Sequence, residues 1–157
     1  MKKIISSILF LFLLSLVTYS QENKVLKNFN SMKEIAIKEV ADFYYNNLND
    51  DEKNNTFYAV NQCSERIDIS NIKTKLSIKS INLKDKKNKQ LLREGIRVFL
   101  IKPILDEDKI LIRIINYKVY YKKRMYHYIN SGGSDVFFQF SYKEKGWVLI
   151  EISHTGI

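Results

Sequence analysis

The stretch from Lys109 to Tyr128, KILIRIINYKVYYKKRMYHY, constrains the fold of this chain more than any other. It is rich in β-branched and aromatic side chains, which favours an extended strand over a loop. Its even positions are apolar from Ile110 to Ile114 and become polar, basic and aromatic from Asn116 onward. Successive side chains of a strand point to opposite faces, so the register decides which of them are buried. We therefore expect a core strand whose second half lies at an opening of the fold.

The N-terminus has the pattern of a secretory signal peptide. Lys2 and Lys3 precede an apolar run from Ile4 to Val17, and Thr18 and Ser20 then supply small residues at the two positions that a signal peptidase reads. The run is too short and its flanks are wrong for a membrane span, which predicts a cleavable signal over residues 1–20 with a cut after Ser20. An uncleaved anchor is the alternative. We expect the protein to be secreted or periplasmic, with no membrane span once the signal is removed.

The remaining residues have the length of one domain. We expect a polar, disordered leader over residues 21–30 and a single folded domain over residues 31–157. The chain has 26 basic and 17 acidic residues and a formal net charge of +9. This charge favours anionic partners, although charge argues about association and not about fold. Cys63 is the only cysteine, which excludes an internal disulfide and a cysteine-rich metal site.

The clearest helix is predicted to begin at Ser31 and to extend to Asp50. Ser31 and Glu34 fit a capping box, in which two side chains satisfy amide donors at a helix start. Apolar residues recur at helical spacing from Ile37 to Leu48 and form a stripe. A stripe of this kind must pack on another element, which indicates a helix that lies on a sheet.

The strands are predicted from alternation. Residues 73–79 alternate lysines with apolar side chains, and Gly95–Leu105 reads as a further strand with Pro103 at an edge or a bulge. After a flexible turn at residues 130–134, residues 135–143 and 147–154 read as a hairpin.

In this hairpin the register places Val148, Ile150, Ile152 and His154 on one face. One helix followed by four to six mostly antiparallel strands predicts an α+β domain with an N-terminal helix packed on a curved sheet.

This element order resembles the cystatin-like and nuclear-transport-factor-two-like rolls, whose strands wrap a helix and often leave a cone-shaped pocket. The resemblance is architectural and covers about residues 31–157. It implies a concave surface suited to a ligand. The Gln-x-Val-x-Gly loop by which cystatins inhibit proteases is absent from the chain, so protease inhibition is not implied. Folds of this kind host unrelated functions, and the function must be argued from a site.

The motifs of several common enzyme classes are absent. There is no glycine-rich phosphate loop, no His-Glu-x-x-His helix and no Gly-x-Ser-x-Gly elbow. His127 and His154 would act with Cys63 as a catalytic pair only if the fold brought them together, and Cys63 is expected to be a small buried hydrophobic residue. We predict no catalytic residue, no cofactor and no metal site. A small enzyme with a pocket-based site is the alternative.

The candidate ligand-binding residues lie on the polar half of the long strand. If one register persists, Asn116, Lys118, Tyr120 and Lys122 line an opening with His154 nearby. Apolar walls with a few convergent polar groups suit a small ligand. The simplest structural reading is that Tyr favours strands and that Lys protects sheet edges.

A bulge near Asn116 would exchange the two faces of this strand. Lys118, Tyr120, Lys122 and Arg124 would then form an outer basic-aromatic strip. Such a strip suits an anionic polymer, a glycan or a nucleic acid, because rings stack on sugars or bases and cations neutralise phosphates.

A strand without a bulge leaves an apolar stripe on its outer face that includes Tyr117, Val119 and Tyr121. Unless another segment covers this interaction surface, it predicts a protein partner or a homodimer. The sequence therefore favours a small exported, non-catalytic module that binds a ligand or a protein, with binding of an anionic polymer as the alternative.

Overall fold

The computed structural model describes residues 29–156. The chain forms an α+β domain in which one long helix accompanies a curled, six-stranded half-barrel sheet. This architecture confirms the predicted fold class. The predicted signal peptide, its cut after Ser20 and most of the predicted leader lie outside the described residues. Within residues 29–156, no helix is both long enough and apolar enough to cross a membrane.

The long helix, α1, covers residues 29–47. Residues 29 and 30 are already helical, so Ser31 lies inside α1 and does not begin it as the capping-box pattern had indicated. The helix ends before the short helix α2, Asp50–Lys53. Its apolar stripe packs on the sheet as the spacing predicts, through Ala36, Ile37, Val40, Ala41 and Tyr44, and the buried Leu48 follows directly after the helix.

The sheet has the strand order β2-β1-β3-β4-β5-β6. Its first strand, β1, lies between β2 and β3 and is parallel to both, whereas β3 to β6 form an antiparallel meander. The strands are β1 Phe57–Asn61, β2 Ile78–Ser80, β3 Ile96–Asp106, β4 Lys109–Lys122, β5 Met125–Ser141 and β6 Gly146–Thr155.

Two segments differ from their predicted structure. The strand predicted over residues 73–79 is reduced to the three residues of β2. Before β3, where no helix was predicted, a 3-10 turn, Lys86–Asn88, leads into a third helix, α3, Lys89–Glu94.

The predicted strand from Lys109 to Tyr128 is two strands joined by a tight turn. Lys122 pairs with Met125, and the two residues between them, Lys123 and Arg124, have positive φ values of 53° and 63°. Positive φ at both central residues is the requirement of a type I′ hairpin turn. The turn was missed because it lacks the Asn-Gly or Asp-Gly pair that usually marks it.

The glycines of the predicted turn at residues 130–134 lie inside β5 instead. The register of β5 with β4 shifts between Ile115 and Tyr117, where β5 contains one extra residue. The register of β4 with β3 is continuous. The bulge is therefore in β5 and does not exchange the faces of β4.

Two apolar layers cover opposite faces of the sheet at different heights. The first layer includes α1 and covers the even face of β4 as far as Asn116. The second layer is the segment of residues 81–92, which covers the odd face from Tyr117 to Tyr121 and leaves Val119 fully buried. Beyond Asn116 the even face is open. The first layer ends at Asn116, and the second layer covers only the odd face. The polar even-face side chains that follow Asn116, such as Lys118 and Lys122, are therefore exposed.

A second bulge changes the register of the last hairpin. Val136 pairs with Ile152 but Phe138 pairs with Leu149, so β6 contains one extra residue near Ile150. Ile152 packs on the α1 layer as predicted, whereas Trp147 takes the place that had been predicted for Val148.

Candidate functional site

A cleft of about 710 Å³ lies at the tip of the β4–β5 hairpin. Two of the predicted ligand-binding residues, Tyr120 and Lys122, line it. The lining combines three cations with three rings and one aliphatic side chain and includes no carboxylate: Arg93, Tyr120, Tyr121, Lys122, Lys123, His127 and Ile129. Rings beside unopposed cations favour an anionic ligand that has a planar or apolar part.

The hairpin projects because β4 is longer than its neighbour β3. Ile96, the first residue of β3, pairs with Val119, so the last residues of β4 pair with β5 alone. On the even face, three cross-strand pairs follow one another, and we call these six residues the hairpin wall: Lys118–Ile129, Tyr120–His127 and Lys122–Met125. All of them except the half-buried Tyr120 are exposed.

The ring of Tyr120 is held from two sides. Gly95 ends α3 with a φ of 84°, and a Cβ at this position would lie 2.2 Å from Cε1 of the ring. Only glycine leaves this space and accepts this backbone conformation. Lys118 Nζ lies 5.3 Å from the centre of the same ring, within the range of a cation–π contact. The fold therefore fixes the orientation of Tyr120 beside the cleft.

The other face of the hairpin is anchored to the second apolar layer. The Tyr126 hydroxyl donates a hydrogen bond of 2.8 Å to the carbonyl oxygen of Leu83, and burial raises the pKa of this hydroxyl. The rings of Tyr121 and Tyr126 are 5.0 Å apart, and Lys89 Nζ lies 5.1 Å from the centre of the Tyr121 ring. These contacts hold the projecting hairpin against α3.

The charge of the hairpin is uncompensated. No Asp or Glu occurs between Asp108 and Asp135 in the sequence. The charge of Arg113 is balanced by Asp135, because the two side chains form a two-pronged ion pair at 2.7 Å. This pair raises the pKa of Arg113. Ion pairs in the described part of the chain involve none of the four hairpin cations, Lys118, Lys122, Lys123 and Arg124.

A neighbouring cleft of about 400 Å³ has a different character. It is lined by Glu52 and Glu94 as well as Lys118, and Glu52 forms an ion pair with Arg97 at its wall. An anion entering there would meet two carboxylates. The preference for anions therefore belongs to the hairpin cleft.

Asn116 does not line the hairpin cleft. It is 1% exposed and lies beneath α1, close to Tyr44. Burial raises the pKa of the Tyr44 hydroxyl, and the Asn116 amide partly offsets this effect. Their geometry falls short of a hydrogen bond, so neither amide atom nor the hydroxyl has a hydrogen-bond partner within residues 29–156.

His154 also lies away from the cleft, on the edge strand β6. Its ring stacks on Phe43 of α1 with the ring centres 3.5 Å apart, and its Nδ1 is 2.8 Å from the Ser134 hydroxyl oxygen. Burial lowers the pKa of His154. The register pairs Ser134 directly with His154. Sequence reasoning missed this contact because it assigned Ser134 to a turn.

A serine bonded to a histidine is also a component of catalytic sites, but the surroundings of this pair argue against that role. Ser134 is 3% exposed, which keeps a substrate away from its oxygen. In the described residues no carboxylate forms a hydrogen bond with His154, so the orienting third group of a catalytic triad is missing. The pair joins β5 to β6, and the stacking of His154 on Phe43 joins β6 to α1.

The predicted interaction surface at Tyr117, Val119 and Tyr121 lies under the second apolar layer. Val119 has no exposed surface, and the two tyrosines are half-buried. The Tyr117 ring also meets Tyr128 edge to face, with centres 5.6 Å apart. The segment of residues 81–92 thus covers much of the stripe that sequence reasoning assigned to a partner.

Cys63 is exposed, contrary to the expectation of a buried thiol. It lies in the turn after β1, where its backbone N–H donates to the Asn61 side chain. The structure brings neither His127 nor His154 into hydrogen-bond contact with it. Within residues 29–156, no group of three or more His, Cys, Asp or Glu side chains is arranged to hold a metal ion.

No protein-family model, curated protein or solved structure matches this chain. The function of the hairpin cleft is therefore inferred from its own residues.

Proposed function

We propose that the protein is an exported, non-catalytic binding module that takes an anionic ligand at the hairpin cleft. The observation that carries this proposal is the positive charge of the hairpin beside Tyr120, Tyr121 and His127. Lys122 and Lys123 line the cleft with these rings, and Lys118 and Arg124 belong to the same hairpin. None of these four cations forms an ion pair within residues 29–156. A cation held beside a ring attracts the charge of a ligand, and the ring offers its face to the ligand's planar part. The signal-peptide pattern of the N-terminal sequence supports the proposal of export.

We also infer that the domain is a roll of the cystatin-like or nuclear-transport-factor-two-like kind. In this chain the ligand would bind at the rim of the roll and not in an interior pocket. The helix-then-sheet order supports this assignment. Tyr44, Phe57 and Phe99 fill the space between α1 and the sheet with packed rings. A ligand would therefore bind at the rim, on the hairpin, and not inside the cone.

The openness of the site favours an extended ligand as well as a small one. The hairpin wall continues the cleft along the even face past Lys118, and its rows of side chains repeat about every 7 Å along the strands. Phosphate or sulfate groups of a linear polymer could reach several of the cations in turn. The anionic polymer is therefore retained as the second form of the ligand.

The test compares two charge-reversal variants that change the net charge equally. Lys122→Glu with Lys123→Glu alters the cleft, whereas Lys79→Glu with Lys143→Glu alters exposed lysines outside it. Fluorescence anisotropy with a labelled single-stranded oligonucleotide and a labelled sulfated oligosaccharide measures binding. The cleft variant should lose about tenfold or more in affinity, and the control should lose about twofold or less.

Salt provides an independent check of the same proposal. If the ligand displaces counterions, its affinity should fall steeply between about 0.05 and about 0.2 M salt. Equal losses in the two variants would assign the binding to net charge alone. A small anion, inorganic pyrophosphate, distinguishes the two ligand forms, because it stabilises the protein in thermal melts only if the cleft takes small ligands.

A further inference from the structure

We propose that the hairpin wall docks onto a lipid bilayer that carries anionic headgroups. This inference rests on the proposed function, since the same cations serve both, and it names the partner as a membrane surface.

The first observation is the exposure of apolar side chains among the cations. Met125 is 58% exposed and Ile129 is 55% exposed, and both lie on the open even face. Each is the direct cross-strand partner of a lysine, Lys122 in one pair and Lys118 in the other. A hydrated polyanion would use the lysines and leave the apolar carbons in water. A bilayer surface accepts both, because its headgroups are charged and the acyl boundary lies just beneath them.

The second observation is the shape of the tip. The turn at Lys123 and Arg124 is the outermost point of a ribbon that extends past the start of β3. Long basic side chains at such a tip can keep their charges among the headgroups while their methylene stems lie along apolar surface. Tyrosine rings beside them match the amphipathic character of a membrane interface.

The third observation is the contrast with the opposite end of the sheet. Two large side chains there are even more exposed, Leu105 at 75% and Tyr142 at 88%. Three acids, however, follow Leu105 directly, whereas Tyr142 is followed by Lys143, Glu144 and Lys145. The acids beside Leu105 would repel an anionic surface, and Glu144 offsets part of the positive charge beside Tyr142. The hairpin wall combines exposed apolar groups with unopposed positive charge, which orients the domain tip-first on an anionic bilayer.

The experiment is co-sedimentation with phosphatidylcholine vesicles, with and without phosphatidylglycerol. The native chain should bind only the vesicles with phosphatidylglycerol. Met125→Ser with Ile129→Ser should lower this affinity about tenfold or more, because the apolar contacts are lost while the charges remain. Leu105→Ser with Tyr142→Ser is the matched control and should bind as the native chain does. Circular dichroism verifies that both variants are folded.

Binding of a soluble polyanion, measured beside vesicle binding, distinguishes this inference from the proposed function. Met125→Ser alone leaves every lining residue of the cleft in place, so this single variant should bind the sulfated oligosaccharide within about twofold of the native affinity. Vesicle binding that is unchanged in the Met125→Ser, Ile129→Ser variant would overturn the bilayer docking. If the native chain bound the oligosaccharide but not the vesicles, the bilayer docking would also be overturned, whereas the proposed function would stand. Loss of neither ligand in the Lys122→Glu, Lys123→Glu variant would overturn both.

Discussion

The Tyr120 ring lies so close to Gly95 that a Cβ at residue 95 would stand 2.2 Å from the ring's Cε1. Gly95 has a φ of 84°, a conformation that residues with a Cβ rarely adopt. One glycine therefore ends α3 and also seats a ring beside the candidate site. The local chain geometry and the binding surface are thus linked at a single position.

Replacing Gly95 with alanine should lower the free energy of unfolding by about 1–3 kcal/mol, because the backbone is strained and the Tyr120 ring must move. The same change should weaken polyanion binding. Urea denaturation measures the first effect and anisotropy the second. The control is Gly146→Ala, whose Cβ would meet only the Glu144 carbonyl oxygen at 3.9 Å. Equal losses of stability in the two variants would contradict the role of the contact.

Substitutions in the turn at Lys123 and Arg124 should be able to raise the stability of the fold while they weaken binding. Both residues occupy the left-handed region, at a cost of about 1–2 kcal/mol each. Changing them to Asn-Gly, the pair that type I′ turns favour, should raise the free energy of unfolding by about 1–2 kcal/mol. The loss of two charges should weaken binding of the oligonucleotide.

A second variant separates the two effects. Changing both turn residues to glutamine keeps the unfavourable backbone and removes the charges, so affinity should fall without a gain in stability. If Asn-Gly gave no gain in urea denaturation, the turn would be unstrained. If neither variant bound more weakly, the tip cations would have no part in the site.

The fold class follows from local patterns that tertiary contacts did not alter. The stripe from Ile37 to Leu48 has helical spacing, and the later segments alternate with the period of a strand. The register could not be obtained in the same way. Two bulges, opposite Asn116 and near Ile150, each add one residue, and one residue exchanges every later side chain between faces.

The site was predictable only in part for a related reason. Tyr120 and Lys122 were identified because they follow the apolar half of one strand. Asn116 and His154 contact the α1 layer instead, away from the cleft. The end of α1 determines where the even face of β4 becomes exposed, and the sequence of β4 gives no indication of where α1 ends. Arg93 was missed because it comes from α3, which lies between a lysine-rich segment and Gly95 and resembles a loop in sequence.

The buried pair Tyr44 and Asn116 predicts an unusual response to substitution. Removing a buried hydroxyl that is hydrogen-bonded costs about 1 kcal/mol. The Tyr44 hydroxyl has no such bond within the described residues, so Tyr44→Phe should leave the free energy of unfolding unchanged or raise it slightly. Asn116→Leu should behave similarly. Denaturation curves in urea measure both effects.

Binding provides the control for this prediction. Asn116 lies outside the hairpin cleft, so Asn116→Leu should bind the labelled oligonucleotide with native affinity. A loss of more than about 1 kcal/mol in Tyr44→Phe would show that the hydroxyl is paired after all. A loss of binding in Asn116→Leu would place the ligand under α1.

The stability of the fold should fall as pH decreases through the ordinary pKa of histidine, about 6.5, because burial lowers the pKa of His154. In this window the unfolded chain takes up a proton at His154 that the folded chain does not, so the unfolded state binds more protons and stability rises with pH. Carboxylates with lowered pKa, such as Asp42 beside Lys38, lose their contribution to stability only at more acidic pH.

Urea denaturation between about pH 5 and pH 7.5 isolates the histidine effect. His154→Gln should flatten this pH dependence, whereas His127→Gln, at the exposed hairpin, should retain it. A slope that persists in His154→Gln would assign the titration to another group and leave the stacking on Phe43 without a part in it.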